Sequence, residues 1–478
     1  MITANSFARL AAVVLLAAAS LANIAGARAA TIVIVNQNGA GIGFNDPTPV
    51  EPVGGNPGTT LGQQRLIAFQ HAADLWGATL DSDIPIRIGA AFVPLSCTVT
   101  SAVLGSAGAP SVWADFPNAP RTDTWYPPAL TAKLVGVDLT PPSQQHIIAR
   151  FNSLLGLYPN CVPGLTFYLG LDNNAGDQIE LVTVLLHEMA HGLGFQTYTD
   201  DATGEEIQGT PSIWDHYLLD NRSGRTWVQM TDAERAASAV AWRGLSWNGA
   251  NVTAAAPSVL ARAALMTISG PSASSAAGVY AVGTASFGPP VGATPVSGQL
   301  MPIIDQAGGA GLACAPLSTV NALAVRGNIA LVDRGNCDYV VKARNVQAAG
   351  AIGLVVADNV PGEVAGLPGL DPGITIPALR ITQADGQKLK SALQTRSRTR
   401  SGVVAQFSVD PLRLAGADEA GRVLLYTPSV NAPGSSVSHY TTEATPNQLM
   451  EPAINDDLTH EVAPPHDLTL PLLYDIGW

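Results

Sequence analysis

Charged residues are scarce in this chain, since Asp, Glu, Lys and Arg together make up only 13% of its 478 residues. Aromatic residues account for 6%, and there are only four cysteines. Among the few charges, 37 acids outnumber 24 bases, which gives a formal net charge of −13. This acidic balance argues against nucleic acid or an anionic membrane surface as a partner, so we predict neither.

Long apolar runs are absent after the first thirty residues, so no later segment is expected to insert stably into a membrane. The beginning of the chain differs, because Arg9 precedes an apolar run over residues 10–24 and the sequence Ala27-Arg28-Ala29 follows, with small residues on either side of the arginine. This order predicts a secretory signal peptide over residues 1–29. The alternative is an N-terminal membrane anchor, for which the run is short. The mature chain is therefore expected to be secreted, into the periplasm or outside the cell.

Four cysteines in an exported chain are typical of two disulfide bonds. Their grouping favours Cys97 with Cys161 and Cys314 with Cys337, although three pairings are possible in principle. The alternative, a cysteine zinc site or an inhibitory thiol, lacks closely spaced cysteines.

The 47 glycines and 35 prolines indicate a loop-rich chain, and its length predicts two domains. Period-2 and helical apolar patterns predict strands at 31–36, 84–92 and 165–171 and a helix at 63–80. Strands with intervening helices favour an α+β domain with a mixed sheet behind a later helix, for which Asp177 is the expected N-cap.

That later helix carries His187, Glu188 and His191 in the order His-Glu-x-x-His. Residues four apart share one helix face, so both imidazoles can reach a single ion at about 2.0–2.1 Å. Glu188 lies beside that ion, where a carboxylate can accept a proton from metal-bound water. The flanking residues are apolar on nearly every face, and buried charged groups must be paired or metal-bound. The motif therefore predicts a catalytic zinc site and a metallopeptidase.

Between residues 264 and 410 charged and aromatic residues thin out and Ala, Gly, Val and Pro dominate. Here a strand at 328–332, a helix at 339–349 and a strand at 352–357 predict a βαβ unit. The sequences of 327–337 and 342–358 resemble the protease-associated (PA) domain. The resemblance implies an insertion in a secreted peptidase that gates access or contacts substrate; a purely structural insert is the alternative.

A catalytic zinc needs a third protein ligand, and the helix supplies only two. Thr197 stands where a short zinc-binding signature has its third histidine. Downstream, His439 lies eleven residues before Met450, in a Leu-Met-x-Pro setting. Together with the helix, this segment resembles the leishmanolysin-like metzincins. The resemblance implies that His187, His191 and His439 bind zinc, that Glu188 is the general base and that Met450 forms the methionine turn beneath the metal.

Other residues compete for the third position, namely His460, His466 and, from a following helix, Glu234. The remaining histidines are expected to be surface or packing residues: His71, His146 and His216.

Asp215 could support the site, but a structural hydrogen bond is favoured. Tyr440, where the metzincin family often has Trp, is a weak candidate for oxyanion stabilisation. Asp467 is expected to begin a terminal helix that Gly477 ends.

We therefore predict an α+β, metzincin-like zinc peptidase domain, with a mixed sheet and an active-site helix, interrupted by an inserted α/β PA-type domain. The expected division is signal peptide 1–29, peptidase 30–263, PA-like insert 264–409 and peptidase 410–478. The expected function is a secreted endopeptidase that uses Zn²⁺ and acts on proteins or peptides. The alternative is a non-catalytic, zinc-stabilised surface protein that uses the insert for recognition; the presence of Glu188 disfavours it.

Overall fold

The computed structural model describes residues 29–304, 311–455 and 457–478. The predicted signal peptide, apart from Ala29, lies outside these ranges. Among the described residues, no helix is both long and apolar enough to cross a membrane.

A four-stranded mixed sheet forms the first layer, with the strand order β1-β2-β4-β3. Strands β1, β2 and β4 are parallel, whereas β3 runs antiparallel to β4 at the sheet edge. Their bounds are β1 Ile32–Asn36, β2 Ile86–Val93, β3 Gly105–Gly108 and β4 Ile147–Asn152. The first, second and fourth are rich in Ile, Val and Phe, which suits a sheet that is covered on one face.

Helix α1, Leu61–Thr79, begins where the Thr60 side chain accepts a hydrogen bond from the backbone N–H of Gln63. The sequence predicted this helix over 63–80, so its centre was right and its start two residues late. Phe69 and Trp76 of this helix are fully buried.

Two more helices complete this layer: α2, Pro128–Val135, and α3, Leu181–Leu193. Helix α1 packs on α3, and Nε1 of Trp76 donates to the carbonyl oxygen of Leu186 on α3 over 3.1 Å. This bond satisfies a buried indole N–H and fixes how the two helices face each other.

Short elements follow on either side of α3. The strand predicted at 165–171 is reduced to two residues, because Leu165 closes a turn on Val162 and the backbone N–H of Leu171 bonds to Gly54 instead of a strand. The short elements are β5 Phe167–Tyr168, β6 Ile179–Glu180, β7 Leu218–Asp220, α4 Asp232–Ala239, β8 Leu245–Trp247 and α5 Ala250–Val259.

An eight-stranded sheet is built from the chain between Arg262 and Leu414, with the order β10-β9-β16-β12-β13-β14-β15-β11. The middle strands β12, β13, β14 and β15 are parallel, and the others pair antiparallel. The strands are β9 Arg262–Ser269, β10 Gly278–Ala281, β11 Gly283–Thr284, β12 Val296–Pro302, β13 Ile329–Asp333, β14 Gly353–Ala357, β15 Ala378–Ile381 and β16 Val404–Leu414.

Two helices connect parallel strands of this sheet, α6 Thr319–Val325 and α7 Tyr339–Ala348, and α8 Gln383–Ala392 follows β15 before the antiparallel strand β16. The unit β13-α7-β14 confirms the βαβ unit predicted from sequence, with bounds that differ by about one residue. The chain enters and leaves the sheet side by side, since Arg262 of β9 is paired with Leu414 of β16.

The buried apolar residues within the described ranges form three clusters. One draws on residues 30–260 and 414–478, whereas the other two lie within 266–407. The last helix, α9 Thr469–Ile476, belongs to the first cluster and ends at Gly477 as expected. It begins after Leu468 rather than at Asp467, whose carboxylate instead accepts from the backbone of Thr469 and, as described below, of Leu449.

Two disulfide bonds join the cysteines as their grouping predicted. Cys97 is bonded to Cys161, and Cys314 is bonded to Cys337. The first lies beside the mixed sheet and the second beside α7.

Candidate metal centre

Helix α3, which carries the His-Glu-x-x-His motif, is buried along its whole length. Its N-cap is Glu180, whose Oε2 accepts from the backbone N–H of Thr183 over 2.6 Å. The prediction that Asp177 caps this helix was wrong, because the chain remains extended through β6 and turns into the helix only after Glu180.

The two glycines at the end of α3 have different roles. Gly194 follows the last helical residue with φ of 124°, a conformation that side chains disfavour, and so turns the chain. Gly192 is still helical, and a Cβ there would lie 2.3 Å from Cγ2 of Ile147 on β4. Gly194 therefore provides the turn, whereas Gly192 allows the helix to approach the sheet.

The structure brings His187, His191 and His439 together, with exposed fractions of only 4–8%. Nε2 of His439 lies 3.2 Å from Nε2 of His187 and 3.2 Å from Nε2 of His191. His439 reaches this point from a segment about 250 residues farther along the chain.

The other ring nitrogen of each histidine faces a backbone carbonyl oxygen. Nδ1 of His187 donates to Leu449 over 2.7 Å, Nδ1 of His191 to Phe195 over 2.8 Å, and Nδ1 of His439 to Ser435 over 2.8 Å. Since a carbonyl can only accept, the proton of each neutral ring resides on Nδ1 and the lone pair on Nε2.

Three Nε2 lone pairs that converge in a buried space repel one another unless a cation lies between them. With Zn–N bonds of about 2.0–2.1 Å, tetrahedral ligand nitrogens lie about 3.3 Å apart, close to the observed spacings. Burial lowers the pKa of His187 to about 4 and that of His191 to about 3, so both rings are neutral at pH 7. The donor set therefore fits zinc with one position left for a water molecule.

The segment that contains Met450 is bonded to His187 and to the residue that follows His439. Met450 is fully buried, and its carbonyl oxygen accepts from the backbone N–H of Tyr440 over 2.8 Å. The carbonyl oxygen of the preceding residue, Leu449, accepts from Nδ1 of His187, and the backbone N–H of Leu449 donates to Oδ2 of Asp467 over 2.6 Å. A turn at Met450 thus links two of the three histidines.

Glu188 lies beside the histidines and lines the same cleft. Its carboxylate accepts a hydrogen bond from the backbone of Ala107 on β3, and Gly105 of β3 approaches so closely that a Cβ there would lie 3.0 Å from Cγ of Glu188. Burial raises the pKa of Glu188 to about 8. A cation held by the histidines would lower that pKa again.

The cleft has a volume of about 1150 Å³. Its walls are β3 with the residues before it, β6 with one face of α3, and segments drawn from 173–178, 196–201, 433–439 and 452–455, with Leu458. Among the described residues that line it there is no Lys or Arg, whereas five are acidic: Asp177, Glu180, Glu188, Asp200 and Asp201.

Thr197 does not act as a metal ligand here, because its hydroxyl donates to Asp215 over 2.6 Å. Asp215 is fully buried and also accepts from Thr199 and from the backbone of Ser212, which agrees with the structural role favoured for it. Tyr440 is fully buried, donates to the carbonyl of Leu468 and does not line the cleft. The suggestion that it stabilises an oxyanion is therefore not supported.

The three competitors for the third position lie elsewhere. Glu234 pairs with Arg225, and its carboxylate accepts from the backbone N–H of Thr231, the N-cap of α4. His460 lies with its Nε2 3.2 Å from Glu180, and His466 is exposed. None of them joins the histidine cluster.

The remaining histidines also lie outside the cluster. Fully buried His146 contacts Asp138 through Nε2, and His216 contacts Thr124. His71 stacks edge-on against His460. The first two are packing residues, as expected; His71 is half-buried near the end of the cleft.

The roles of three residues at the site were not predicted from the sequence: Ala107 on the edge strand, Asp467 behind Leu449, and Glu180 at the start of α3. The strand β3 is Gly-Ser-Ala-Gly, which has no strand-like pattern. Asp467 is one of many acids in loops, and only its place shortly after the Met450 segment could have suggested a role.

Comparisons with known proteins identify one part of the chain. Residues 296–389 match the family model of the PA domain, so this domain is present. The match agrees with β12 to α8 of the eight-stranded sheet, although it covers only about a fifth of the chain.

Curated relatives share segments of similar length. The minor extracellular protease Vpr of Bacillus subtilis (strain 168) is 32% identical over 114 residues, which is 23% of this chain and 14% of that protein. Leucine aminopeptidase 2 of Trichophyton equinum is 43% identical over 67 residues, or 14% and 13%. Vacuolar-sorting receptor 3 of Arabidopsis thaliana is 40% identical over 72 residues, or 13% and 12%. The chain thus spans less than a fifth of these relatives' length.

Solved structures give partial likenesses. A zinc aminopeptidase from Bacillus subtilis is 18% identical, with a TM-score of 0.22, over 33% of this chain and 36% of that one. An aminopeptidase from Aneurinibacillus sp. strain AM-1 is 16% identical, with a TM-score of 0.23, over 44% of each chain. Neither reaches half of this chain. Because peptidases and a sorting receptor share such segments, the chemistry must be argued from the histidine cluster.

Proposed function

We propose that this chain is a secreted, zinc-dependent endopeptidase of the metzincin type. The observation that carries the proposal is the convergence of three Nε2 atoms, from His187, His191 and His439, beside the carboxylate of Glu188 in an open cleft. A structural zinc needs closed coordination, whereas three histidines and a neighbouring base suit a catalytic one. His187, His191 and His439 would hold the metal, and Met450 would provide the turn beneath it.

Zinc, when bound, supplies a Lewis acid that polarises the scissile carbonyl and makes a water molecule more acidic. Glu188 takes the proton of the attacking water on a carboxylate oxygen and delivers it to the leaving amine. The backbone N–H of Ala107 orients this carboxylate. The three backbone carbonyl oxygens that accept from the Nδ1 atoms hold the imidazoles in the tautomer that leaves each Nε2 lone pair free to bind the metal.

The edge strand β3 supports endopeptidase activity. In the part of the chain that the structure describes, no strand pairs with its other side, and it lines the cleft directly beside Glu188. An extended peptide can add to such an edge through main-chain hydrogen bonds, which do not depend on a free terminus. A substrate with both ends blocked should therefore be cut.

We also propose the division into a peptidase unit, residues 30–263 and 410–478, and an insert at 264–409. The separate apolar clusters support it, as does the pairing of Arg262 with Leu414, which places the two ends of the insert side by side. The insert could then have joined an existing domain without separating the two halves of its core.

The test is proteolysis of unfolded casein and of an end-blocked quenched peptide by zinc-loaded protein and by Glu188→Gln. We expect wild type to cut both substrates and Glu188→Gln to lose about 10²–10⁴-fold in kcat. Bound zinc, measured by mass spectrometry, should remain near one per chain. Activity only on peptides with free N-termini would indicate an aminopeptidase, and zinc binding without any cleavage would favour the non-catalytic alternative.

A further inference from the structure

We infer that the cleft selects substrates with a lysine or arginine next to the scissile bond, and that Glu180 is the residue that determines this specificity. The inference rests on the proposed peptidase function. It concerns the end of the cleft near the start of α3, called here the Glu180 pocket and lined by Leu165, Ile179, Glu180, Thr183, Val184 and Leu458.

The Glu180 pocket begins at the candidate metal centre and follows one face of α3. Glu180, Thr183 and Val184 are separated from His187 by seven, four and three positions, which places all four on the same side of the helix. Seven residues of helix span about 10 Å. A lysine or arginine side chain that leaves the substrate backbone beside the metal centre covers most of this distance, and the side chain of Glu180 covers the rest.

Two buried oxygens in the pocket have no partner among the described residues. Oε2 of Glu180 accepts from Thr183 and contacts His460, but Oε1 of Glu180 makes no hydrogen bond. The hydroxyl of Thr183 also has no partner, although this residue is only 1% exposed. Buried carboxylate and hydroxyl oxygens are nearly always satisfied in folded proteins, so the pair indicates a missing donor.

The missing donor should carry a positive charge. Glu180 is nine-tenths buried, and although the imidazole of His460 lies 3.2 Å from its Oε2, no Lys or Arg among the described lining residues compensates the acids of the cleft. A neutral donor would satisfy a hydrogen bond but would leave this negative potential in place, whereas an ammonium or guanidinium group does both.

The walls of the pocket suit the stem of such a side chain. Ile179 pairs with Phe167 of β5, and Leu165, two residues before that strand, lines the same cleft; the carbonyl of Leu458, which also lines it, accepts from Nδ2 of Asn173. Lysine and arginine bury their methylene stems against apolar surface and keep the charged end on polar groups. Apolar walls that lead to a carboxylate reproduce that arrangement.

The experiment first maps specificity without assuming it. An end-blocked peptide library is digested by zinc-loaded wild type, and the cut sites are sequenced by mass spectrometry. We expect Lys and Arg to be enriched at one position beside the scissile bond. Matched peptides with lysine or its uncharged analogue norleucine at that position should then differ about tenfold or more in kcat/KM.

Two variants test the residues. Glu180→Gln keeps an oxygen for the N–H of Thr183 but removes the charge, and should bring the lysine-to-norleucine ratio close to one. Thr183→Val removes only the hydroxyl and should reduce the ratio several-fold. Glu234→Gln is the matched control, since Glu234 also accepts hydrogen bonds at the start of a helix but lies outside the cleft, and it should leave the ratio unchanged. If Glu180→Gln does not fold, Thr183→Val decides.

A binding measurement separates this inference from the proposed function. Calorimetry on the Glu188→Ala background should give about tenfold tighter binding of the lysine peptide, and Glu180→Gln should abolish the difference. Cleavage without enrichment of Lys or Arg, or a preference that survives both variants, would overturn the inference and leave the peptidase proposal standing. If wild type cuts nothing, the peptidase proposal fails, and the calorimetric ratio alone supports or overturns the pocket.

Discussion

Nδ1 of His187 donates a hydrogen bond to the carbonyl oxygen of Leu449 over 2.7 Å and so joins two residues that are 262 positions apart. The bond fixes the tautomer of the ring and ties α3 to the segment that presents His439 and Met450. A site completed by such distant segments depends on the fold of the whole peptidase unit. Its parts can therefore be tested one at a time.

Removal of the third imidazole should release the metal. We expect His439→Ala to weaken zinc binding by about 100-fold or more, since even loss of a residue that only orients a ligand costs 10–100-fold. Competition with a chromophoric chelator measures the affinity. Excess zinc should also raise the melting temperature of wild type far more than that of the variant, because the metal binds only the native state. His466→Ala, at an exposed histidine, should behave as wild type.

Asp467 should position His187 through the peptide of Leu449. Its two oxygens accept from the backbone of Leu449 and of Thr469, and an asparagine can accept from only one direction. We expect Asp467→Asn to lower zinc affinity by about 10–100-fold and to destabilise the fold by about 1–3 kcal/mol.

Asp475→Asn provides the control for that variant. Asp475 likewise accepts from Trp247, Asn251 and Val252, but none of these contacts reaches the histidines. It should lose a similar amount of stability in urea denaturation and keep its zinc affinity. Equal losses of zinc affinity in both variants would show that Asp467 acts only through general stability.

The sequence predicts those residues of the site whose relationship is visible within a short segment, and not those that distant segments bring together. The pair His187 and His191 needed only helical periodicity, and His439 needed a family resemblance, because nothing local relates it to α3. Glu180 could not be identified as the N-cap, since the pairing of β6 with β5 decides where the helix starts. Strand β3 was not predicted for a similar reason, because its pairing with β4, and not its own residues, makes it a strand.

The disulfide between Cys97 and Cys161 should stiffen one wall of the cleft. It ties the residues that lead into β3 to the loop of Val162, whose N–H bonds to the carbonyl of Thr98. The bond closes a loop of 64 positions, so its replacement by two serines should cost about 2–4 kcal/mol. Peptide KM should rise several-fold as the wall loosens. Replacement of Cys314 and Cys337 in the same way should destabilise the insert and leave KM unchanged.

Asp358 should make the PA domain sensitive to acid. Its carboxylate is 6% exposed and pairs with Arg380, itself 8% exposed, and with Arg334 over 2.9 Å. Burial raises the pKa of Asp358, but the hydrogen bonds and charges of the two arginines outweigh this effect and hold the pKa below its ordinary value. Asp358→Asn leaves Arg380 without its buried partner, so we expect a loss of about 3–5 kcal/mol at pH 7.

The pH dependence of that loss follows from the direction of the shift. A carboxyl group whose pKa is lowered by folding stabilises the native state above its unfolded pKa of about 4, and this contribution disappears as the pH falls through the lower, folded value. The stability difference between wild type and Asp358→Asn should therefore be constant from pH 7 to about pH 5 and shrink below about pH 4. Hydrogen exchange of the backbone amides of β14, compared at pH 7, 5 and 3.5, measures it within the PA domain. A difference that stays constant down to the lowest pH would mean that the ion pairs with Arg334 and Arg380 do not stabilise this sheet.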